Sequence, residues 1–141
     1  MADVHEIEVV SAGDMAFHSS VNGHQVVLDA KEEQGGHDLG PRPKPMLLVA
    51  LAGCTGMDVV SLLKKMRADY SSLKIAVSGE LTDEHPKHYH HIHVIYRVGG
   101  MPKEAQAKMQ KAVDLSLSKY CGVTFMLQQV ARITHEIQHH E

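Results

Sequence analysis

Two cysteines are the residues of this chain with the most specific chemistry. Cys54 lies in Leu51-Ala-Gly-Cys-Thr-Gly-Met-Asp58, and Cys121 lies in Leu117-Ser-Lys-Tyr-Cys-Gly-Val-Thr124. A thiolate is a good nucleophile, and a sulfenic acid formed on one cysteine condenses with a nearby thiol to a reversible disulfide. The count alone favours two inert buried thiols, because cysteine is among the most buried residue types. The motifs around each cysteine therefore have to decide whether the pair is reactive.

The segment around Cys54 is predicted to be helical, with Gly53 and Gly56 on either side of the cysteine. A glycine inside a helix costs roughly 1 kcal/mol relative to alanine, so the two glycines predict that another element packs close to the backbone. Cys54 lies too far from the helix ends to benefit from the helix dipole. Cys121 precedes a short turn or helix, a position that favours its thiolate. On the helix before it, Asp114 and Ser116 are predicted to be exposed.

The elements that position the cysteines follow from the spacing of apolar residues. Alternation and the Asn22-Gly23 hairpin signal predict strands in the first thirty residues. Alternating prolines before the apolar segment exclude a helix there and favour extended backbone. The predicted elements are N-terminal strands over 4–30, a loop over 31–45, a central helix over 46–70, strands over 72–98, a helix over 103–118, and the Cys121 segment with a final strand over 119–138.

This order of elements predicts one α+β domain over residues 1–141, with a largely antiparallel sheet against the long central helix. The first half of that helix, Met46 to Ala52, is apolar on all sides and should be buried all round. One small sheet cannot cover such a helix. The sequence therefore predicts a homodimer in which a second subunit supplies the remaining cover.

The composition excludes several classes of function. The formal net charge is -3 and the 14 basic residues are scattered, which argues against nucleic-acid binding. No basic-then-apolar segment begins the chain, and the apolar run from Met46 to Ala52 is too short to span a membrane. We therefore expect a cytoplasmic protein that does not bind membranes. We also predict no cofactor and no bound metal.

A cluster of five histidines between His85 and His93 is the main argument for a metal. His91 and His93 share one face of a predicted strand, a spacing that can chelate a metal. No cysteine or carboxylate completes the set at a standard spacing, although Glu84 is nearby. We therefore favour a solvated strand face, with both histidines exposed. A structural dimer with inert thiols and a histidine metal site stays open as an alternative. The residues predicted to face inward are Ile92, Val94 and Tyr96.

Two stretches of the chain resemble the signature regions of the OsmC/Ohr superfamily, the osmotically inducible protein C and organic hydroperoxide resistance proteins. The first is Gly40-Pro-Arg-Pro43 followed by Met46 to Val59, and the second runs from Ala112 to Leu127. The resemblance extends over essentially the whole chain, including the Gly99-Gly100 break after a predicted strand. The two motifs, in this order and at this separation, are more specific than either alone.

The resemblance implies an OsmC-like fold, in which an antiparallel sheet wraps around a long central helix and two chains form an intertwined homodimer. It also implies active sites at the subunit interface. By motif position, Cys54 matches the peroxidatic cysteine and Cys121 the resolving cysteine. The implied activity is that of a thiol peroxidase, a peroxiredoxin-type oxidoreductase that reduces organic hydroperoxides in oxidative-stress defence and is recycled by a dithiol reductant.

The chain departs from the active Ohr-type pattern in its supporting residues. Those members use an arginine from the N-terminal strands and a glutamate just before the first cysteine. This chain has no arginine before Arg42, and Lys44 or Pro45 stands where the glutamate is expected. Arg42, Lys44 or His37 are candidates for the missing cation, and Asp58 is a further supporting candidate. The departure leaves open a binding or redox-sensing protein of the same fold, without efficient peroxidase activity.

Overall fold

The N-terminal residues form a three-stranded antiparallel sheet, as their alternation predicts. In the computed structural model, which describes residues 2–141, the strands are β1 (Val9–Ser11), β2 (Phe17–Val21) and β3 (His24–Leu28), in that order across the sheet. Asn22 and Gly23 join β2 to β3 with φ of 51° and 80°, the positive values that a type I′ turn needs. Met1, the first residue of the predicted domain, lies outside the described residues.

The loop after β3 folds around the buried carboxylate of Asp29. Asp29 Oδ1 accepts the N–H of Ala30 at 2.7 Å, and Oδ2 accepts the N–H groups of His37 and Leu39, each at 3.1 Å. Burial by itself raises the pKa of Asp29, but these three donors and the charge of His37 together bring that pKa below its usual value. A single ionised side chain therefore organises the loop.

The long helix, α1 (Pro43–Lys65), begins inside the segment predicted to be a loop. Pro43 and Pro45 occupy its first turn, where a missing N–H removes no helical hydrogen bond, so the exclusion of a helix by these prolines is wrong. The helix ends before the predicted residue 70 because Arg67 adopts a left-handed conformation, with φ of 55°. A left-handed residue is a common way to end a helix.

One stripe of α1 is fully buried, and much of the rest is not. Within the protomer, Val49 in the apolar first half and Met57 further along the helix are exposed, so one protomer alone does not bury α1 on all sides. By length and composition alone α1 could cross a membrane, but the core helix of a soluble protein passes the same test. The exposed apolar surface needs further cover, and a second subunit as its source stays a prediction. The buried residues are Leu51, Thr55, Val59 and Leu63.

The second sheet contains β4 (Ser72–Leu81), β5 (Tyr89–Gly99) and β6 (Arg132–His140), in that order. β4 and β5 are antiparallel and β6 runs parallel to β5, so the strand pairing is largely antiparallel, as predicted, with one parallel pair. The helices between β5 and β6 form the crossover that a parallel pair requires. The α+β class is confirmed. On β5, the alternate residues Ile92, Val94, Tyr96 and Val98 are buried, as predicted.

The crossover between β5 and β6 consists of several short helical pieces. A 3₁₀ turn at Lys103–Ala105 leads into α2 (Gln106–Leu115), and a π-helical segment, Ser116–Tyr120, follows directly. The N–H of Cys121 donates to the carbonyl of Ser116 at 2.7 Å, which closes this wide turn. α3 (Gly122–Leu127) comes next. The predicted helix over 103–118 is thus divided, and its last turn is wider than an α-helix.

Two compact units, Met1–Leu47 and Leu48–Glu141, make up the chain, and both cysteines lie in the second. The core of the second unit joins α1, β5 and α2. The assignment of both units to one domain stays a prediction. The largest fully buried side chains of this core are Tyr96, Leu51, Leu63, Ile92, Met109, Val59, Val94, Val98 and Val113.

Candidate functional site

The structure brings Cys54 and Cys121 together in the second unit. Cys54 lies on α1, and Cys121 lies at the N-terminal cap of α3. The two Sγ atoms and a carboxylate oxygen of Asp58 are all within 4.8 Å of one another, and both thiols are free. Asp58 lies four residues after Cys54 on α1, a spacing that places both side chains on one face of the helix. The catalytic roles of the two cysteines stay predictions.

Cys121 is the more deeply buried of the two thiols, with 4% of its surface exposed. Its Sγ caps α3 by accepting the N–H of Thr124 at 3.4 Å. Burial raises the pKa of Cys121, and the neighbouring Cys54 raises it further, while contacts with Thr124 act in the opposite direction. Cys121 does precede a short helix, the position that favoured its thiolate in the sequence. Desolvation of the buried thiol outweighs this effect, so the pKa of Cys121 is raised.

Cys54 is half-buried, between two glycines with different surroundings. A Cβ on Gly56 would lie 2.9 Å from Cδ1 of Ile75, so an element does pack closely there, as predicted. A Cβ on Gly53 would meet nothing within 4 Å in the protomer, so the close neighbour predicted there is not supplied by the chain itself. The close approach to α1 therefore comes from β4, on the side of Gly56.

A chain of buried hydroxyl groups ends on Asp58. Ser116 Oγ donates to Asp58 Oδ2 at 2.9 Å, and Thr55 Oγ1 lies 2.7 Å from both Ser116 Oγ and Tyr96 Oη. An ionised carboxylate can only accept, so Ser116 must donate to it, Thr55 must donate to Ser116, and Tyr96 must donate to Thr55. One ionised group thus fixes the direction of every hydrogen bond in the chain.

Burial raises the pKa of Tyr96 to about 12, against a smaller lowering by its hydrogen bond with Thr55. The Cys121 and Asp58 charges add to the increase. Tyr96 therefore keeps its proton and remains a donor throughout the physiological range. Its hydroxyl is held among apolar side chains because the inward face of β5 carries it there.

Sequence reasoning missed three residues of this site: Thr55, Ser116 and the Tyr96 hydroxyl. Ser116 is fully buried, so its predicted exposure is wrong, because the π-helical segment begins at Ser116 and its hydroxyl bonds Asp58. A usable signal was present in two of the three. Thr55 stands on the apolar stripe of α1, and Tyr96 was correctly predicted to face inward, and both bring a hydroxyl into an apolar environment that has to satisfy it.

Among the four candidate supporting residues, Asp58 is the one found beside the cysteines within the second unit. Arg42 donates to Asp38 Oδ1 at 2.7 Å and to the Gly40 carbonyl at 2.9 Å. His37 Nε2 lies 2.6 Å from Asp14 Oδ2, and this hydrogen bond and the Asp14 charge raise the pKa of His37. Lys44 is exposed in the first turn of α1. Arg42 and His37 are therefore already engaged within the first unit.

The two strand histidines lie on the outer face of β5, opposite Ile92 and Val94, as predicted. They are half-buried and not exposed, because the side chains of β6 lie alongside them. His91 Nε2 and His93 Nδ1 contact Thr134 Oγ1 at 2.8 and 2.7 Å, and His93 Nε2 lies 3.0 Å from Glu136 Oε1. The parallel register thus supplies a carboxylate neighbour that the sequence spacing did not reveal.

Comparison with known proteins agrees with this architecture. The family model described as OsmC-like protein matches residues 35–136. Protein YhfA of Escherichia coli strain K12 is 36% identical over 119 residues, which cover 84% of this chain and 85% of YhfA. A hypothetical protein of Aquifex aeolicus VF5 has 29% identity and a TM-score of 0.81, with 99% of this chain and 100% of that chain covered.

A more distant solved structure shares the fold. It is an organic hydroperoxide resistance protein OsmC from Legionella pneumophila, also described as a predicted redox protein, with a TM-score of 0.68 at 11% identity and 98% of each chain covered. At that identity the likeness shows the fold alone. The family model matches most of the chain, and YhfA is 36% identical to it over 84% of its length. The chain therefore belongs to the OsmC-like protein family.

Proposed function

We propose that this protein reduces organic hydroperoxides in oxidative-stress defence, through a redox pair formed by Cys54 and Cys121. The observation that carries the proposal is the position of two free sulfur atoms within 4.8 Å of each other, at the two motifs that mark the family. Family membership and the name of the Legionella pneumophila structure support a peroxide-related redox role. A sulfenic acid formed at such a pair can be trapped as a disulfide.

The reaction proceeds in three steps. The Cys54 thiolate attacks the outer oxygen of the hydroperoxide, the O–O bond breaks, and the leaving alkoxide takes a proton to become the alcohol. The Cys121 thiolate then attacks the Cys54 sulfenic acid, an S–S bond forms, and hydroxide leaves and is protonated to water. A dithiol reductant finally exchanges with the disulfide, restores both thiols and becomes oxidised itself.

The surroundings of the two sulfurs support this order. Cys54 is half-buried, whereas Cys121 is nearly inaccessible and its pKa is raised by burial. A peroxide therefore meets Cys54 first. Cys121 needs only to reach a sulfur that is already nearby, and a small side-chain movement brings two such atoms to the S–S bond length of about 2.05 Å.

A redox-sensing or binding protein is the second candidate function. Arg42 is paired with Asp38 in its own loop and His37 with Asp14 before β2, and Asp58 places a negative charge beside the sulfurs. Both features work against the thiolate that rapid peroxide attack requires. Such a protein would form the disulfide slowly and signal by its change of state. The third candidate is a structural dimer with inert thiols and a histidine metal site. The half-buried pair His91 and His93 would be the ligands of that site.

A homodimer is part of the proposal. Met57 is 76% exposed, and together with Val49 it lines an open apolar groove of about 950 Å³ between α1 and β4. Exposed apolar side chains gathered in one groove support an interface there. We expect light scattering to give a dimer, and Met57→Glu to produce monomers because it buries a charge at the contact. A stable folded wild-type monomer at micromolar concentration would contradict the dimer.

A soluble protein fits the fold, and we propose the cytoplasm as its location.

A reductant-coupled assay tests the peroxidase proposal, with cumene hydroperoxide compared against hydrogen peroxide. We expect faster turnover of the organic peroxide. Cys54→Ser should abolish turnover, and Cys121→Ser should permit one stoichiometric reaction before the enzyme stalls or overoxidises. Ser78→Ala, an exposed position on β4, is the matched control and should retain activity. Absent turnover in a wild-type protein that still forms the disulfide would replace the peroxidase by the sensor.

A further inference from the structure

The group formed by Cys54, Cys121 and Asp58 contains the three kinds of atoms that a thiophilic metal ion binds. Their two sulfurs and one carboxylate oxygen lie within 4.8 Å of one another. Zinc binds thiolates at about 2.3 Å and carboxylates at about 2.0–2.2 Å in tetrahedral geometry, which puts neighbouring ligand atoms roughly 3.5–3.8 Å apart. Small side-chain rotations are therefore sufficient to close the group around one ion.

The charge balance of the group favours a cation. All three side chains can be negative, and within residues 48–141 no basic side chain forms a salt bridge with Asp58. Two sulfurs with one carboxylate suit Zn²⁺, a borderline-soft ion, better than Mg²⁺ or Ca²⁺, which prefer oxygen ligands alone. A divalent cation would supply the positive charge that this site otherwise lacks.

The surroundings hold the carboxylate as a metal ligand is usually held. Ser116 Oγ donates to Asp58 Oδ2 at 2.9 Å, and the buried hydroxyls of Thr55 and Tyr96 support Ser116 in turn. This arrangement uses one carboxylate oxygen and leaves the other available to a metal ion. Hydrogen bonds of this kind orient ligands, and their removal typically lowers metal affinity 10- to 100-fold.

Thr124 gives an independent indication of a ligand. The residue is 2% exposed, and its Oγ1 is the one buried side-chain oxygen or nitrogen among residues 2–141 without a hydrogen-bond partner. This hydroxyl lies near the Cys121 sulfur, which accepts the N–H of Thr124 at 3.4 Å. A neutral thiol is a weak acceptor, whereas a metal-bound thiolate is a strong one. Metal binding would therefore give the orphaned hydroxyl its partner.

We propose that the reduced protein binds one Zn²⁺ per chain through Cys54 Sγ, Cys121 Sγ and the Asp58 carboxylate, with a fourth position left for water or a small ligand. Zinc and the disulfide exclude each other, because both use the same two sulfurs. Oxidation of the pair removes two of the three ligands and releases the ion. The zinc site does not require peroxide turnover, so either property can be present without the other.

Titration of the reduced, full-length protein with Co²⁺ under anaerobic conditions tests the site, because thiolate–Co²⁺ charge transfer reports sulfur ligation directly. We expect an absorption band that saturates at one Co²⁺ per chain and disappears when Zn²⁺ is added. Cys54→Ser and Cys121→Ser should each weaken the band markedly. Asp58→Asn, which keeps both thiols, should lower the affinity at least ten-fold. Far-UV circular dichroism confirms that each variant is folded.

His93→Ala is the matched control, since it removes a ligand-type residue from the histidine pair and leaves the sulfurs intact. It should bind Co²⁺ as the wild type does. The proposal is overturned if reduced wild-type protein shows no thiolate–Co²⁺ band, or if a variant lacking both cysteines binds Zn²⁺ equally well. Equal affinity of the oxidised and reduced proteins would also overturn it. No peroxide is present in these titrations, so failure here is distinct from failure of the peroxidase proposal.

Discussion

Replacement of Thr55 by valine tests the buried hydroxyl chain, because valine has the same shape without the hydroxyl. Thr55 makes two hydrogen bonds of 2.7 Å, to Tyr96 and Ser116, and all three residues are fully buried. Thr55→Val leaves the Tyr96 hydroxyl as a buried donor without an acceptor. Such an orphaned group costs about 1–3 kcal/mol, so we expect a loss of about 2 kcal/mol in the free energy of unfolding.

Tyr96→Phe separates the cost of an unpaired buried hydroxyl from the cost of a lost hydrogen bond. In the wild-type background it removes one hydrogen bond, and we expect a loss of about 1 kcal/mol. In the Thr55→Val background it removes the orphaned hydroxyl itself. There we expect a gain of about 1 kcal/mol, so that the same substitution has opposite signs in the two backgrounds.

Urea unfolding followed by far-UV circular dichroism measures all four proteins of this cycle. Protein concentration must be held constant, since unfolding of the proposed dimer would depend on it. The expected losses relative to wild type are about 2 kcal/mol for Thr55→Val, about 1 for Tyr96→Phe and about 1 for the double variant. Additive losses, with the double variant the least stable, would show that Tyr96 and Thr55 are not coupled and would refute the directed chain.

Three further predictions concern other parts of the chain. Asp14 raises the pKa of His37 above 6.5, so Asp14→Asn should bring the His37 titration seen by NMR back towards that value. The His37–Asp14 pair stabilises the first unit below about pH 6.5, where His37 is charged in the folded and the unfolded states. This stabilisation should be lost as pH rises through the raised pKa of His37. Gly56→Ala should be less stable than Gly53→Ala in thermal unfolding, because a Cβ would clash at 2.9 Å only at Gly56. In Cys54→Ser protein, alkylation of Cys121 should need a pH above the usual cysteine range, because burial raises its pKa, and rapid alkylation at neutral pH would contradict this.

The parts of the molecule that the sequence predicted correctly depend on short-range patterns. The hairpin at Asn22 and Gly23 follows from backbone conformation, and the inward face of β5 follows from alternation. The proximity of Cys54 and Cys121 does not follow from a short-range pattern, because the two residues are 67 positions apart in the sequence. It was expected from two family motifs found in the right order, and the structure places the sulfurs accordingly.

The parts that failed depend on neighbours from distant elements. Pro43 breaks a helix interior but is tolerated in a first turn, and the sequence did not show where that turn begins. The burial of Ser116 results from a π-helical segment, which needs one more residue per hydrogen-bonded ring than an α-helix and has no sequence signature in this chain. The contact between His93 and Glu136 requires the parallel register of β5 and β6, which only the crossover sets.

The parallel pairing of β5 with β6 has a consequence for the order in which the protein folds. Leu81 pairs with Tyr89 across a short connection, whereas His93 meets Thr134 across 41 residues. Closing a loop roughly five times longer costs about 1.4 kcal/mol more in chain entropy. We therefore expect the β4–β5 hairpin to form early and β6 to dock late.

Cys121 lies in the late-closing segment, so it reaches Cys54 only when the crossover is complete. In the folded protein its sulfur is nearly inaccessible, but in a nascent chain it is open to any oxidant or to the thiol of another molecule. A newly synthesised chain should be most vulnerable to mispaired disulfides in this interval. The proposed peroxidase would thus depend on reducing conditions during its own synthesis.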